Sequence, residues 1–379
     1  MIVSQRDISI SSVLAPFQFG NQSHLELYND ILHSFYDLLR NRLYRIKDML
    51  KTAGKSQEEH LDQLLNQLDG VELDAYLFQP QVSNILLYGN TNEVLPIAGF
   101  LLETLSAQVA KKTHEFDPSL YSQLWSANGD YLISRDESGS GFVEYEAPRI
   151  SDRVPIDFFS PYCQSLSQDD IQEDPLTKFE LYSFEEAENV FEFMEASLGP
   201  VSDKNITELV CLFNNVVMVK KQVNPNGARP FISGSDGFYI GRTHVMNADK
   251  VDSEVIAEMF VHEAIHSVLY IIEEFRNWMP GFGDAARIGT SVPSNWSGNR
   301  LSIRSYFQAV FVWFGIFNFW KHALDHQLYD RERVVRRLQF VTNGFRTLDT
   351  AAIAREYGLR LGDETIETVE AAKKIVLSS

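Results

Sequence analysis

The segment "VDSEVIAEMFVHEAIHSVLYIIEEFRNWMPG", Val251 to Gly281, constrains any fold of this chain more than the rest. Asp252 or Ser253 can cap the start of a helix, Glu254 falls in its first turn, and Pro280-Gly281 stops it at the latest. Met259, Phe260, Val261, Ile265, Val268 and Leu269 make the helix apolar on most sides, so it has to be buried. Yet the same stretch carries His262, Glu263 and His266. Polar groups taken into an apolar interior need partners. The fold must therefore supply hydrogen bonds or a ligand at this point.

The spacing suits a metal ion. Residues four apart on a helix lie about 40° apart around the axis and one turn along it, so both imidazoles can reach one ion. Glu263 lies about 100° from His262. It is better placed to touch a metal-bound ligand than to ligate beside both histidines; in a hydrolase it is the general base on a zinc-bound water. The competing reading is a pair of core histidines hydrogen-bonded to their neighbours.

A metal site needs a further ligand. Glu273 shares the histidine face but lies roughly 10 Å beyond His266, and Glu274 points about 120° away from His262. Both read as polar partners near the helix end. No histidine occurs between His266 and His322, and "SIRSYFQAVFVWFGIFNFWKHAL", Ser302 to Leu324, contains no Asp or Glu. The usual ligand sets of zinc proteases, with a third histidine or a second-helix glutamate, are not met. That second helix offers Gln308, one polar residue in an apolar run, preceded by Arg300 and Arg304. Gln308 reads equally as a buried amide bonded to backbone. The arginines read as ordinary helix-start residues or as a clamp for a carboxylate. Two histidines, a missing carboxylate and nearby arginines fit an open site that takes an anionic co-substrate.

The remaining sequence places this helix in an α+β protein, mostly helical, with a mixed central β region and a zincin-like HExxH helix. Ser23 to Lys112 repeats apolar residues at three- and four-residue steps and reads as helical. "GDYLISRDESGSGFVEYEAPRI" alternates around a Gly/Ser turn and reads as a hairpin, not a phosphate loop. "FEEAENVFEFMEASLG" reads as a helix ending at Gly199, "ELVCLFNNVVMVKK" as β-rich, and "DGFYIGRTHVMNA" as a short strand. From Ser302 the chain reads as helical again. These stretches group as an N-terminal helical region, 1–115, a mixed region, 116–250, and a helical metal-site region, 251–379, or as one continuous domain. "SYFQAVFVWFGIFNFW", Ser305 to Trp320, is too short and too interrupted for the ~20 apolar residues of a membrane span, so a buried helix is expected.

The formal charge of -19 repels a phosphate backbone and argues against nucleic acid, while it suits a basic peptide. Two cysteines, Cys163 and Cys211, read as free thiols. Arg6 and Asp7 interrupt any apolar leader, so a cytoplasmic location is expected, and the acceptor patterns at Asn21, Asn205 and Asn295 are then chance matches.

Three blocks within about residues 230 to 325 carry a family resemblance: "FISGSDGFYIGRTHVMNA", "IAEMFVHEAIHSVLYIIEE" and "VPSNWSGNRLSIRSYFQAVFVWFGI". Together they resemble the HExxH-type peptide-modification proteins, described as 2-oxoglutarate-dependent peptide β-hydroxylases. The resemblance implies iron(II) held by His262 and His266 with a ligand from the later helix. It also implies 2-oxoglutarate clamped by arginine, with Arg300 first and Arg304 its rival, and hydroxylation of a side-chain β-carbon in a ribosomally made precursor peptide. The family position for the later ligand carries histidine, where this chain has Gln308. The third ligand therefore stays open between Gln308, Glu263 and Asp284. Trp296 is retained, but Ser297 follows it in place of arginine. Trp296, His244 and Tyr239 are the pocket candidates, and the strand Gly237 to Asn247 is a candidate to pair with an extended peptide. Two other functions are weighed beside this one. One is a zinc metallopeptidase with Glu263 as general base; the other is a non-catalytic peptide-binding module with a degenerate site, for which Gln308 is the best argument.

Overall fold

The computed structural model describes residues 14–19, 24–54, 56–115, 117, 119–136, 141–165, 177–201, 203–275, 291–356 and 363–379. Asp284, Pro280-Gly281, Asn21 and the tip of the Gly/Ser turn lie outside them. In chain order the helices are α1 (His24–Thr52), α2 (Gln57–Leu65), α3 (Gly70–Leu77), α4 (Pro80–Tyr88), α5 (Val94–Thr113), α6 (Pro161–Ser165), α7 (Phe184–Leu198), α8 (Lys204–Phe213), α9 (Ser253–Phe275), α10 (Ile303–Asp325), α11 (Arg331–Thr347), α12 (Thr350–Glu356) and α13 (Asp363–Ser378). The strands are β1 (Gln123–Trp125), β2 (Tyr131–Arg135), β3 (Phe142–Glu146), β4 (Arg149–Ile150), β5 (Val154–Asp157), β6 (Lys178–Glu180), β7 (Val216–Val223), β8 (Ile232–Ser235), β9 (Arg242–Met246), β10 (Ser291–Pro293) and β11 (Arg300–Ser302). The protein is α+β, and mostly helical.

The chain packs as two compact units made of discontinuous segments, whereas the regions expected from sequence are consecutive. One unit combines Met1–Ser34, Ser197–Phe213 and Ser253–Ser379; the other combines Phe35–Ala196 and Asn214–Asp252. The second unit holds the main sheet. Its strand order is β4-β5-β7-β9-β8, with β6 also on β7. The β5, β7 and β9 strands run parallel, and β4, β6 and β8 add antiparallel. All four residues of β5 and all five of β9 are buried, as expected for parallel strands covered on both faces. A separate antiparallel sheet, β1-β2-β3, contains the expected hairpin, with Tyr131 opposite Glu146 and Arg135 opposite Phe142.

Two local expectations are corrected. Glu208 to Phe213 is helical, not β-rich: Ile206, Leu209, Val210 and Phe213 are buried at helical spacing in α8, and only Val216 onward is extended. A short apolar run does not by its own periodicity distinguish helix from strand. The strand in "GRTHVMN" also cannot accept an added peptide, because β7 flanks β9 on one side and β8 on the other. On that side of the sheet the edge strand is β8.

The first unit is built on α9 and α10. Ser302 caps α10, accepting from the Ser305 N–H at 3.1 Å, so the turn that contains Gln308 follows directly from a polar signal. Helix α10 lies against both α9 and α11. Phe307, Phe311, Phe314 and Phe319 are fully buried along it, as expected for the most apolar run. Helices α5 and α9 have the length and apolar content to cross a membrane; 83% of the α9 window is buried within the fold.

Candidate metal centre

Helix α9 carries a polar row at four-residue steps: Glu254, Glu258, His262, His266 and Tyr270. Successive members lie one above another on a helix. Most of the other positions on the helix are apolar, with Ile256, Phe260, Ala264, Ile265 and Ile271 fully buried.

His262, Glu263 and His266 each offer a ligating atom, and these atoms lie within 4.8 Å of one another. No other such group of histidine, cysteine and carboxylate occurs among the described residues. Glu263 is 1% exposed, while the two histidines are half-buried. Burial pushes both imidazoles down to about 4. For His262 the Glu258 carboxylate opposes the shift and Arg337 adds to it; for His266 the neighbouring His262 adds to it and Glu263 opposes it. Both rings are thus neutral at physiological pH and keep a lone pair, the form that binds a metal.

Arginines from α11 complete the start of the row. Arg333 Nη1 donates to Glu254 Oε1 at 2.6 Å. Arg337 forks onto Glu258, with Nε to Oε2 at 2.7 Å and Nη2 to Oε1. Trp320 Nε1 of α10 donates to the same Oε2 at 2.5 Å. Aromatic rings wall the histidines. Trp313 stands edge-on to His262 at 6.0 Å, and Tyr270 stacks on His266 at 5.8 Å. Arg337 lies over the Trp313 ring.

The residues expected from sequence divide among several roles. Gln308 is 1% exposed. Its Oε1 lies 3.2 Å from His266 Nδ1, and its Nε2 donates to Glu273 Oε1 at 2.6 Å. It bonds side chains, not backbone. Arg304 Nε donates to Glu273 Oε2 at 2.5 Å, and its guanidinium also lies over the Tyr270 ring. Arg300 is exposed on β11, where it donates through Nε to Ser291 Oγ at 2.8 Å and through Nη2 to the Ser291 carbonyl at 2.7 Å. Trp296 is buried, stacks on Trp313 at 5.7 Å and donates from Nε1 to the Val341 carbonyl at 3.0 Å. It is thus one ring removed from His262.

His244 and Tyr239 belong to the other unit. His244 faces Gly234 across the β8–β9 pair; a side chain at Gly234 would come within 2.7 Å of its Nε2. Tyr239 stacks under Arg242 at 3.8 Å, and Arg242 pairs with Asp236. His322, fourteen residues past Gln308 and about 20 Å along the axis, lies near the end of α10 with its ring tilted against that of His326 at 4.2 Å.

Sequence reasoning missed Glu258, Arg337, Trp313 and Trp320. A signal for the first two was present: Glu254 and Glu258 continue the histidine step backward, and Arg333 and Arg337 repeat it on α11. The two tryptophans gave none, since an apolar run does not say which ring faces a site. No family model matches the chain, and no curated protein matches it.

Proposed function

We propose that this protein is a metal-dependent enzyme acting on peptides, an iron(II)/2-oxoglutarate-dependent oxygenase that hydroxylates a side-chain β-carbon of a ribosomally made peptide in the cytoplasm. The metal part rests on the donor set: two imidazoles kept neutral by burial, with a buried carboxylate in the same group. Two histidines and one carboxylate suit non-haem iron(II) with open positions. The reaction class rests on the resemblance of residues 230 to 325, within which α9 is read as zincin-like.

His262 and His266 would hold the ion, and Glu263 supplies the carboxylate beside them. Iron(II) and 2-oxoglutarate, when bound, would activate dioxygen, the oxidant for an unactivated C–H bond, with one oxygen atom going to the peptide and the other to succinate as 2-oxoglutarate loses carbon dioxide. Of the two clamp candidates, Arg304 already commits Nε and Nη2 to the Glu273 carboxylate, and turning them to a co-substrate would leave that carboxylate without its cation. Arg300 carries no such cost and is the preferred clamp. Trp313, half-buried beside His262, is the ring best placed to exclude water from one side of the ion. The charge of -19 favours a basic peptide segment as partner.

A second reading, zinc-dependent peptide hydrolysis, is favoured by one observation. Glu263 is buried against both histidines, where a general base for a metal-bound water belongs. The test is an anaerobic visible spectrum of metal-free protein with iron(II), before and after 2-oxoglutarate. A charge-transfer band that needs both supports the oxygenase. No band, with tight zinc binding and peptide cleavage abolished by Glu263→Ala, replaces it with the hydrolase.

A further inference from the structure

The atoms between Arg304 and His266 form a chain whose polarity can be worked out from its far end. Arg304 is a permanent cation and only donates. It donates to Glu273 Oε2, while Glu273 Oε1 accepts from Gln308 at 2.6 Å. Burial pushes the Glu273 carboxyl up, but Arg304 and Gln308 both act against that shift. The guanidinium against one oxygen and the amide N–H on the other both favour the charged form. As a carboxylate, Glu273 is an acceptor only, so the Gln308 amide must turn its NH₂ toward it. The carbonyl Oε1 then faces His266 Nδ1 at 3.2 Å. An amide oxygen cannot donate, so Nδ1 must carry the proton. In a neutral imidazole the other nitrogen, Nε2, then holds the lone pair.

We infer that Arg304, Glu273 and Gln308 act as a positioning relay that locks His266 in the Nδ1–H tautomer and leaves Nε2 as its coordinating atom. In this role Gln308 is an outer-shell group and not the third ligand. The inference rests on the metal-site reading only for the purpose of the tautomer; the tautomer itself is a property of the metal-free chain. Outer-shell partners of ligating histidines commonly fix ring orientation in this way. Here the partner is a neutral amide whose own direction is imposed by a buried ion pair.

The experiment is long-range ¹H–¹⁵N correlation spectroscopy on the full-length, metal-free protein with ¹⁵N-labelled histidine at neutral pH. The His266 signals are assigned by comparison with His266→Asn. The relay predicts a protonated Nδ1 and an unprotonated Nε2 at His266. It predicts that Gln308→Leu loses this pattern and binds cobalt(II) about 10- to 100-fold more weakly by calorimetry. Glu273→Gln, which can donate as well as accept, should give a mixed tautomer. A wild-type His266 protonated at Nε2 overturns the relay without any variant, and so does an unchanged tautomer in folded Gln308→Leu. If the wild type shows the Nδ1–H form and binds no cobalt(II), the relay stands and the metal reading falls.

Discussion

Two buried polar clusters, one in each unit, handle their charges in opposite ways. In the unit built on α9, the carboxylates flanking the histidines are paired with arginines: Glu254 with Arg333, Glu258 with Arg337, Glu273 with Arg304. In the other unit, Asp157 at the end of β5 turns inward on its own backbone. Its Oδ1 accepts from the N–H groups of Phe159 and Ser160 at 3.0 and 2.8 Å, its Oδ2 accepts from Ser160 Oγ, and that hydroxyl accepts from the Cys163 N–H. Burial raises Asp157 to about 7, although these bonds oppose the rise, and burial also raises the Cys163 thiol. Asp157 closes a turn and needs nothing more. The α9 row balances its acids with external cations while leaving two neutral imidazoles half-open beside a buried carboxylate. The Asp157 cluster satisfies itself, whereas the α9 row keeps donor atoms that can hold a metal ion.

The largest effect that tests this contrast is on metal binding. His262→Ala and His266→Ala should each weaken cobalt(II) or zinc(II) binding by more than the roughly 10- to 100-fold typical of an outer-shell change. Asp157→Asn should leave it unchanged by the same calorimetric titration. Equal losses in all three would erase the distinction between the clusters.

Next comes the Glu258 node. Glu258→Ala strands the Arg337 guanidinium and the Trp320 N–H, and should cost about 3 kcal/mol in urea denaturation. Asp157→Ala, which removes a local turn partner, should cost only about 1–2 kcal/mol.

Packing behind the site gives a smaller effect. A methyl at Gly344 would meet the Trp296 indole at 2.1 Å, and that ring is anchored through Val341. Gly344→Ala should therefore lose about 2 kcal/mol and shift Trp fluorescence. At Gly315 the nearest atom is the flexible Cδ1 of Ile265, so Gly315→Ala should lose less in the same melt.

The most gradual effect is on pH, and its sign differs between the clusters. His262 and His266 are held near 4 in the folded protein against 6.5 when free. Between these values the unfolded chain binds more protons, so the metal-free protein should lose stability as pH falls from 6.5 toward 4. Asp157 is raised from 3.8 to about 7, so the folded protein holds the extra proton and its contribution should fall as pH rises through that window. Denaturation across pH 4 to 7 should show the first slope flattened in a His262→Asn/His266→Asn double variant and the second flattened in Asp157→Asn.

Much of this was legible in the chain. The N-terminal helices, the hairpin, the α7 stop at Gly199 and the buried α10 follow from periodicity and turn residues, which act over a few positions. The pair His262 and His266 was legible because four residues is one helical turn. Glu273 was correctly separated from the histidines by the same geometry, being too far along the axis to share an ion. Glu208 to Phe213 was misread because the run is too short for its periodicity to decide between helix and strand. The exclusion of β9 as a peptide-binding edge was not legible, since strand order depends on which strands pair at long range. Neither was the bond from Gln308 to His266, which joins residues 42 apart on two helices.

The sequence by itself determined most of the elements and the histidine spacing, because backbone geometry, caps and apolar burial are local. It also determined that Gln308 would be buried, since it lies in the most apolar run of the chain. Only the tertiary structure decided what that amide does there. The packing of α9 against α10 brings Arg304, Glu273 and Gln308 into one line ending at His266, and the direction of each hydrogen bond in that line is set by the cation at its start.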